Sequence, residues 1–355
     1  MSSSLLDDPT ARARLDPSDM LASVAALPDQ CREAWAAARE IETFGGEIDK
    51  VVVLGMGGSA IAGDIWRMLL QRESKIPVFN VRQYDLPPFV DERTLVIASS
   101  YSGNTEETLS AFEQALATSA KKIAITSGGK LLTIARANGV PAFTYEFDGE
   151  PRAAIGWGLM PLLALSMGQG WMPEVHRDVG EAIQVMEMLR DEISPDIPTD
   201  RNDAKMLATR LFEKLPIVYA GLPLTEVAHR WKSQLSECAK VWSFHDELPE
   251  LHHNAVVGFA LPKQIATSTL VVLLGSDDLI HRRVRMRYDF TRKQLAKAGV
   301  ETADVQSRGA SVLAQIMSLI LFGDYVGTYL ALLYEVDPTP TDVIEELRSW
   351  LATQS

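Results

Sequence analysis

Residues 94–108 read Thr94-Leu-Val-Ile-Ala-Ser-Ser-Tyr-Ser-Gly-Asn-Thr-Glu-Glu-Thr108. The run Thr94 to Ala98 is short, apolar and β-branched, as a buried strand requires. Beyond the turn, Leu109, Phe112 and Leu116 recur at the spacing of a helix with one buried face. The stretch is therefore strand, turn, helix. Ser102-x-x-Thr105 can cap that helix, and Glu106 favours its positive end. A cap takes one hydroxyl, however, and Ser100, Ser102 and Thr105 supply three within six positions. Three hydroxyls beside unbonded helix N–H groups suit the oxygens of a phosphate monoester. No P-loop lysine follows, which favours a small phosphorylated metabolite over a nucleoside triphosphate.

The same unit recurs outward from this point. Lys50-Val-Val-Val-Leu54 runs into Gly55-Met-Gly-Gly-Ser59 and then a helix through Ile61, Ile65, Met68 and Leu69. Further strands are expected at Ile76 to Val81, Lys122 to Thr126 and Pro141 to Tyr145. The fourth strand, Lys122 to Thr126, ends in Ser127-Gly-Gly-Lys130. A second series follows: strand Leu215 to Gly221, helix Glu226 to Lys240, strand Thr267 to Leu274, helix Arg283 to Ala298 and strand Glu301 to Val305. Strands alternating with helices argue for an α/β protein with two parallel-sheet halves. Helices are expected over the first 45 residues, between about 152 and 212, and on either side of Asp337-Pro-Thr-Pro340. Gly55 to Ser59 matches a dinucleotide loop only loosely, because Ala60 stands at the third glycine position. A tight turn with Ser59 as N-cap accounts for it equally well.

The totals exclude some classes. The 355 residues carry 34 Lys and Arg against 47 Asp and Glu, a formal charge of −13. A broad basic face for nucleic acid is not expected from such a chain. The two cysteines, Cys31 and Cys238, form neither a disulfide framework nor a metal cluster, which fits a reducing cytoplasm. The start of the chain lacks the basic and apolar regions of a signal peptide. Two apolar stretches read as buried helices rather than membrane spans. Ala153 to Met167 contains Gly156, Gly158 and Pro161, and Ala314 to Tyr334 contains Asp324.

Gly55-Met-Gly-Gly-Ser-Ala-Ile-Ala-Gly-Asp64, Ser100 to Thr108 and Thr126-Ser-Gly-Gly-Lys130 together resemble the sugar isomerase (SIS) fold. More narrowly they resemble the bifunctional phosphoglucose/phosphomannose isomerases of archaea and bacteria. The likeness continues through Pro151-Arg152, Trp231 to Lys240, Pro249-Glu-Leu-His-His-Asn254, Gly323 to Leu333 and Asp337-Pro-Thr-Pro-Thr341, so it spans about residues 50–350. It implies two flavodoxin-like SIS subdomains, at 46–151 and 213–308. An N-terminal helical segment (1–45), connecting helices (152–212) and C-terminal helices (309–355) complete the expected division.

The resemblance also implies an aldose–ketose isomerisation through a cis-enediol(ate), with no metal or redox cofactor. Gly58, Ser59, Ser100, Ser102 and Thr105 would hold the phosphate of a small sugar phosphate. Glu237 matches the base that moves a proton between C1 and C2. From the residues alone it reads as a solvated helix residue beside the buried stripe Val227, Trp231, Leu235 and Cys238. Arg152 matches the cation that stabilises the enediolate; alone, it could be a surface arginine capping its loop. His253 matches the ring-opening histidine, with His252 as its neighbour and rival. The family histidine reaches the site from a second subunit, which implies a homodimer. Thr341 matches the residue associated with accepting both C2 epimers. Arg348 stands where the family has lysine, and Ser236 and Cys238 replace asparagines flanking the base. Gly327 stands where serine is common. Two alternatives stay open: an isomerase of another sugar phosphate on the same fold, and a non-catalytic sugar-phosphate sensor.

Overall fold

The computed structural model describes residues 2–354. Helices α1 (Ser2–Asp7), α2 (Pro9–Leu15), α3 (Met20–Ala25) and α4 (Leu27–Ala37) precede the first strand, and no helix spans 41–49. Then come β1 (Lys50–Leu54), α5 (Gly57–Glu73), β2 (Val78–Val81), β3 (Thr94–Ser99), α6 (Glu106–Leu116), β4 (Lys121–Thr126), α7 (Gly129–Ala137) and β5 (Ala142–Thr144). Helices α8 (Ile155–Gly168), α9 (His176–Ile193) and α10 (Asp203–Leu211) lead to β6 (Leu215–Gly221), α11 (Thr225–Ala239), β7 (Phe244–Leu248), α12 (Lys263–Thr267), β8 (Thr269–Gly275), α13 (Arg282–Ala298) and β9 (Glu301–Gln306). The chain closes with α14 (Val312–Leu333) and α15 (Asp342–Leu351).

The chain forms two compact units. One, the N-sheet unit, comprises 26–187 and 309–315; the other, the C-sheet unit, comprises 1–25, 188–308 and 316–355. The N-sheet is wholly parallel, in the order β2-β1-β3-β4-β5. Its central strands are buried along both faces, which is why they read as continuous Val, Ile and Leu runs instead of alternating ones. On one face Val52, Leu54, Val96 and Ala98 pack with Phe112 of α6 and Leu131 of α7. Elsewhere in the unit α5 packs on α8, where the Trp66 indole donates to Ser166 Oγ at 2.7 Å.

The C-sheet repeats the topology with four parallel strands, β7-β6-β8-β9. All seven residues of β8 are buried. Strand β7 was not expected from the sequence. Its residues, Phe-His-Asp-Glu-Leu, are mostly polar because it is an edge strand, paired only to β6. Helix α1 is tied into this unit by buried Lys205, whose ammonium donates to Asp7 Oδ1 at 2.9 Å and to the carbonyls of Pro195 and Ile197. Helix α14 is long and apolar enough to cross a membrane, yet its apolar window is entirely covered by the protein.

Candidate active site

In the N-sheet, the chain leaves β1 toward β2 on one side, while β3 lies on the other. That order places the topological switch between β1 and β3, where open α/β sheets bind ligands beyond their strand ends. The two turns that meet there are Gly55–Met56, leading into α5, and Ser100–Thr105, leading into α6. Ser59, in the first turn of α5, accepts a hydrogen bond on Oγ from the Tyr101 backbone N–H at 3.2 Å, which ties the turns together. Ser100 and Thr105 share a hydroxyl–hydroxyl bond of 2.9 Å. The Asn104 N–H donates to Ser102 Oγ at 3.2 Å.

None of these hydroxyls caps a helix. Met56 is the N-cap of α5 and Thr105 that of α6, and neither makes a side-chain cap bond. The capping roles open to Ser59 and Thr105 in the sequence are therefore not taken up. Two helices of 17 and 11 residues begin at the switch point without a side-chain cap, so their first N–H groups can meet an anion. Gly103 shapes the turn. Its φ is +63°, and a side chain there would strike the Gly128 carbonyl at the start of α7.

Arg152 belongs to the same unit. It sits on the 3-10 turn Pro151–Ala153, is only 4% exposed, and pairs with Glu150 at 3.1 Å. It is thus not the surface arginine that the sequence also allowed. Gly58 lets this turn come close, since a Cβ there would lie 2.9 Å from the Pro151 carbonyl and 3.4 Å from Arg152 Cα. The Tyr101 hydroxyl holds the segment before it, at 2.7 Å from the Phe147 carbonyl and 2.9 Å from that of Gly149. The structure therefore brings Gly58, Ser59, Ser100, Ser102, Thr105 and Arg152 into one neighbourhood. Its organiser is Tyr101, which the sequence reading passed over. The signal was a large aromatic between two serines in a turn built of small residues.

The remaining candidates lie in the C-sheet unit. Glu237 is half-buried in the last turn of α11, beside the stripe Val227, Trp231, Leu235 and Cys238, all buried. Three polar bonds fasten α11 to α14. The Arg230 guanidinium donates to Asp324 Oδ2 at 2.6 Å, Gln234 to Asp324 Oδ1 at 2.8 Å, and the Trp231 indole to the Leu319 carbonyl at 2.8 Å. Asp324, which sets α14 apart from a membrane span in the sequence, is thus the clamp that orients the Glu237 helix. The spacing Arg230 to Gln234, one helical turn, was the available signal. At Gly327 a Cβ would lie 3.4 Å from the Gln234 carbonyl, an ordinary van der Waals contact. Ser236 bonds Ser243 at 2.9 Å.

At the end of α11, Lys240 adopts a left-handed conformation, and its ammonium donates at 2.5 Å to both the Glu237 and Pro340 carbonyls. It therefore tethers the segment leading to Thr341, the N-cap residue of α15, to the turn that carries Glu237. Arg348 projects from exposed α15 and pairs with Glu345 at 2.5 Å.

Residues 47–137 match the model of the SIS domain, and residues 200–351 match that of the bacterial phospho-glucose isomerase C-terminal SIS domain. A bifunctional phosphoglucose/phosphomannose isomerase from Caldicellulosiruptor bescii is 43% identical over 336 residues, covering 94% of this chain and 99% of the relative. The chain belongs to the bifunctional phosphoglucose/phosphomannose isomerase family. A family member from Aquifex aeolicus is 36% identical, over 85% of this chain and 90% of its own. A D-glucosamine-6-phosphate 4-epimerase from Sulfolobus acidocaldarius is 34% identical, over 65% and 70%. Among solved structures, the hypothetical protein TT0462 from Thermus thermophilus superposes with a TM-score of 0.75 at 18% identity, covering 97% of this chain and 94% of that one.

Within this family member the two adjacent histidines have different surroundings. His252 is fixed. Its Nδ1 lies 3.1 Å from the Arg287 guanidinium, which can only donate, and its Nε2 lies 2.8 Å from Thr291 Oγ1. Burial and then Arg287 push its pKa below the ordinary value of 6.5, so the ring is held neutral. His253, at the end of the 3-10 turn Glu250–His253, is exposed, and its ring makes no hydrogen bond among the described residues. A cavity of about 530 Å³ in the C-sheet unit, bordered by Arg210, Gln306 and Arg308, holds none of the candidate groups.

Proposed function

We propose that this protein is a sugar-phosphate aldose–ketose isomerase that interconverts glucose 6-phosphate and fructose 6-phosphate, and mannose 6-phosphate with them. The observation that carries the reading is 43% identity over 99% of a relative that bears both activities in its name. The uncapped turns at the β1/β3 switch point support it from the chemistry side.

Ser59, Ser100, Ser102 and Thr105 bind the phosphate with the first N–H groups of α5 and α6. His253 moves a proton between the ring oxygen and the anomeric hydroxyl, which opens the sugar. Glu237 takes the C2 proton of the open aldose and returns it to C1. The electron pair left at C2 moves into a C1–C2 double bond, and O1 carries the charge of a cis-enediolate. Arg152 stabilises that oxyanion, because its charge is held in place and shielded from water. Reprotonation at C1 and passage of the O2 proton to O1 give the ketose. Thr341 supports turnover of both C2 epimers. Arg348 supplies charge in place of the family lysine and no proton. The enzyme works as a homodimer in which His253 serves the second subunit, and its setting is the cytoplasm.

The test is a coupled assay of fructose 6-phosphate formed from each hexose 6-phosphate. Glu237→Gln should lower kcat by about 10²- to 10⁴-fold, the usual contribution of general base catalysis. Turnover untouched by that change removes Glu237 as base. The relationship to the glucosamine-6-phosphate epimerase favours one second reading, action on an amino sugar phosphate. Turnover of glucosamine 6-phosphate with none of glucose 6-phosphate would select it. Binding of hexose 6-phosphates without any turnover would select the sensor.

A further inference from the structure

Between β5 and the 3-10 turn Pro151–Ala153, residues 145–150 belong to no helix or strand. This segment brings Arg152 beside Gly58, and no sheet ladder fixes its shape. Tyr101 fixes it instead. Its hydroxyl has one proton to donate and two carbonyls to meet, Phe147 at 2.7 Å and Gly149 at 2.9 Å. Both ends of a three-residue bend are thus held by one atom. The Phe147 ring stands edge-on to the Tyr101 ring, with centroids 6.1 Å apart. Gly149 closes on the same ring, since a Cβ there would lie 2.9 Å from it. Tyr145, at the start of the segment, stacks on Trp157 of α8 at 5.1 Å. Burial, and then Asp148 and Glu150, raise the Tyr101 pKa above its ordinary value of 10, so the hydroxyl stays a donor. Just after the bend, Glu150 Oε2 accepts from the Arg152 guanidinium at 3.1 Å. At its other end Tyr101 uses its backbone N–H, which donates to Ser59 Oγ. One residue therefore holds the two switch-point turns with its backbone and the arginine segment with its hydroxyl.

We propose that Tyr101 is a positioning residue for the isomerisation: its hydroxyl, acting through the 147–149 bend and Glu150, sets where the Arg152 guanidinium stands relative to the phosphate turns. The proposal rests on the reading above, in which Arg152 meets the enediolate. A hexose 6-phosphate held by its phosphate presents C1 and C2 at the far end of its carbon chain. The cation for O1 must then stand at a fixed reach from the turns that hold the phosphate. The Tyr101 hydroxyl does not touch the substrate in this reading. It determines where Arg152 is when charge develops, and a fixed cation needs no reorganisation at that moment. The bond to Ser59 comes from the backbone N–H, which phenylalanine keeps. Removing the hydroxyl alone therefore separates turnover from phosphate binding.

The experiment measures kcat and KM for glucose 6-phosphate, and inhibition by inorganic phosphate, in Tyr101→Phe, Arg152→Lys and the double variant of the full chain. Tyr101→Phe should lower kcat about 10- to 100-fold, the scale of an ångström-sized misplacement, while KM and the phosphate inhibition constant stay within about twofold. In the Arg152→Lys background the same exchange should change kcat by less than about twofold, because the two residues act as a unit. Glu150→Ala should also lower kcat, and Glu150→Gln, which keeps an acceptor oxygen at the same reach, should restore most of it. A Tyr101→Phe variant with wild-type kcat, beside an impaired Arg152→Lys, overturns the proposal and leaves the isomerase reading standing. A raised KM and phosphate inhibition constant at unchanged kcat overturns it in favour of a role confined to the phosphate turns. Equal losses from Tyr101→Phe in both backgrounds overturn it as well, since the hydroxyl would then act without Arg152. Arg152→Lys with wild-type kcat overturns the enediolate role of Arg152, and the proposal with it. Should Tyr101→Phe fail to fold, the Glu150 variants decide. Glu150→Ala at wild-type kcat, or Glu150→Gln no better than Glu150→Ala, overturns the positioning of Arg152 through this segment.

Discussion

The two sheets share a strand order but end in different turns. In the N-sheet, β3 runs into Ser100-Tyr-Ser-Gly-Asn-Thr105 and then α6. In the C-sheet, the equivalent strand β8 runs into Ser276-Asp-Asp-Leu-Ile-His281 and then α13. The first turn leaves its helix without a side-chain cap and places neutral hydroxyls at the switch point. The second closes itself: Ser276 Oγ accepts from the Leu279 N–H at 3.0 Å, and the His281 ring accepts from the Arg283 N–H at 3.2 Å. Asp277 and Asp278 would also repel a phosphate. The fold thus offers two positions of equal topology, and a few side chains make the first, and not the second, the candidate anion site. The C-sheet does other work, clamping α11 through Asp324 and presenting His253.

Making the first turn resemble the second should have the largest effect. Ser102 is exposed, so Ser102→Asp can fold. It trades a hydroxyl for a carboxylate beside a bound dianion, and at an effective dielectric of about 20 a unit charge pair a few ångströms apart is worth about 4 kcal/mol. KM for glucose 6-phosphate should rise at least about 10²-fold while the melting temperature changes little. Unchanged KM would mean that the phosphate lies elsewhere.

Gly103→Ala tests the shape of the turn rather than its charge. A left-handed residue is strained by about 1–3 kcal/mol when it is not glycine, and here the added methyl also meets the Gly128 carbonyl. The expected result is a loss of stability of that size or somewhat more in urea unfolding. A neutral substitution would show that the turn can relax.

Much of this was legible in advance, and the rest was not, for physical reasons. The strands of the N-sheet stand out because burial on both faces makes them unbroken apolar runs. Edge strand β7 is hidden because half of its surface meets water and its sequence is polar. The residues proposed to hold the phosphate are local in sequence, so Ser100, Ser102 and Thr105 could be read as a group. The distinction between capping and free hydroxyls could not, since it depends on Thr105 bonding to Ser100 instead of to its own helix. Likewise nothing in His252-His253 tells the two rings apart. The difference comes from Thr291 and Arg287, some 35 to 39 residues away.

That histidine pair gives a smaller effect on the C-sheet side. His252 has a folded pKa below its unfolded value, so the folded chain binds fewer protons. The stability it contributes is complete above pH 6.5 and is lost as the pH falls below it. Between pH 7.5 and 5.5, wild type should therefore lose more stability in urea than His252→Gln does. An equal loss in both proteins would assign the acid sensitivity to other groups. His253→Gln should act on turnover instead.

The smallest effect should come from the reverse exchange, Asp277→Ser/Asp278→Gly, which gives the second turn the small neutral residues of the first. If composition alone made an anion site, this variant would gain a second phosphate site, visible in calorimetry with inorganic phosphate. No such gain is expected. Removing two carboxylates leaves Ser276 and His281 still bonded to their own backbone, so the first N–H groups of α13 stay shielded. It also supplies no counterpart of Tyr101, whose backbone and hydroxyl hold the β1 turn and the Arg152 segment in place in the N-sheet. KM and kcat should stay within about twofold of wild type, as for a surface change away from the site. A measurable second site would mean that repulsion by the two aspartates, and not the absence of a preformed turn, is what keeps the C-sheet from binding phosphate.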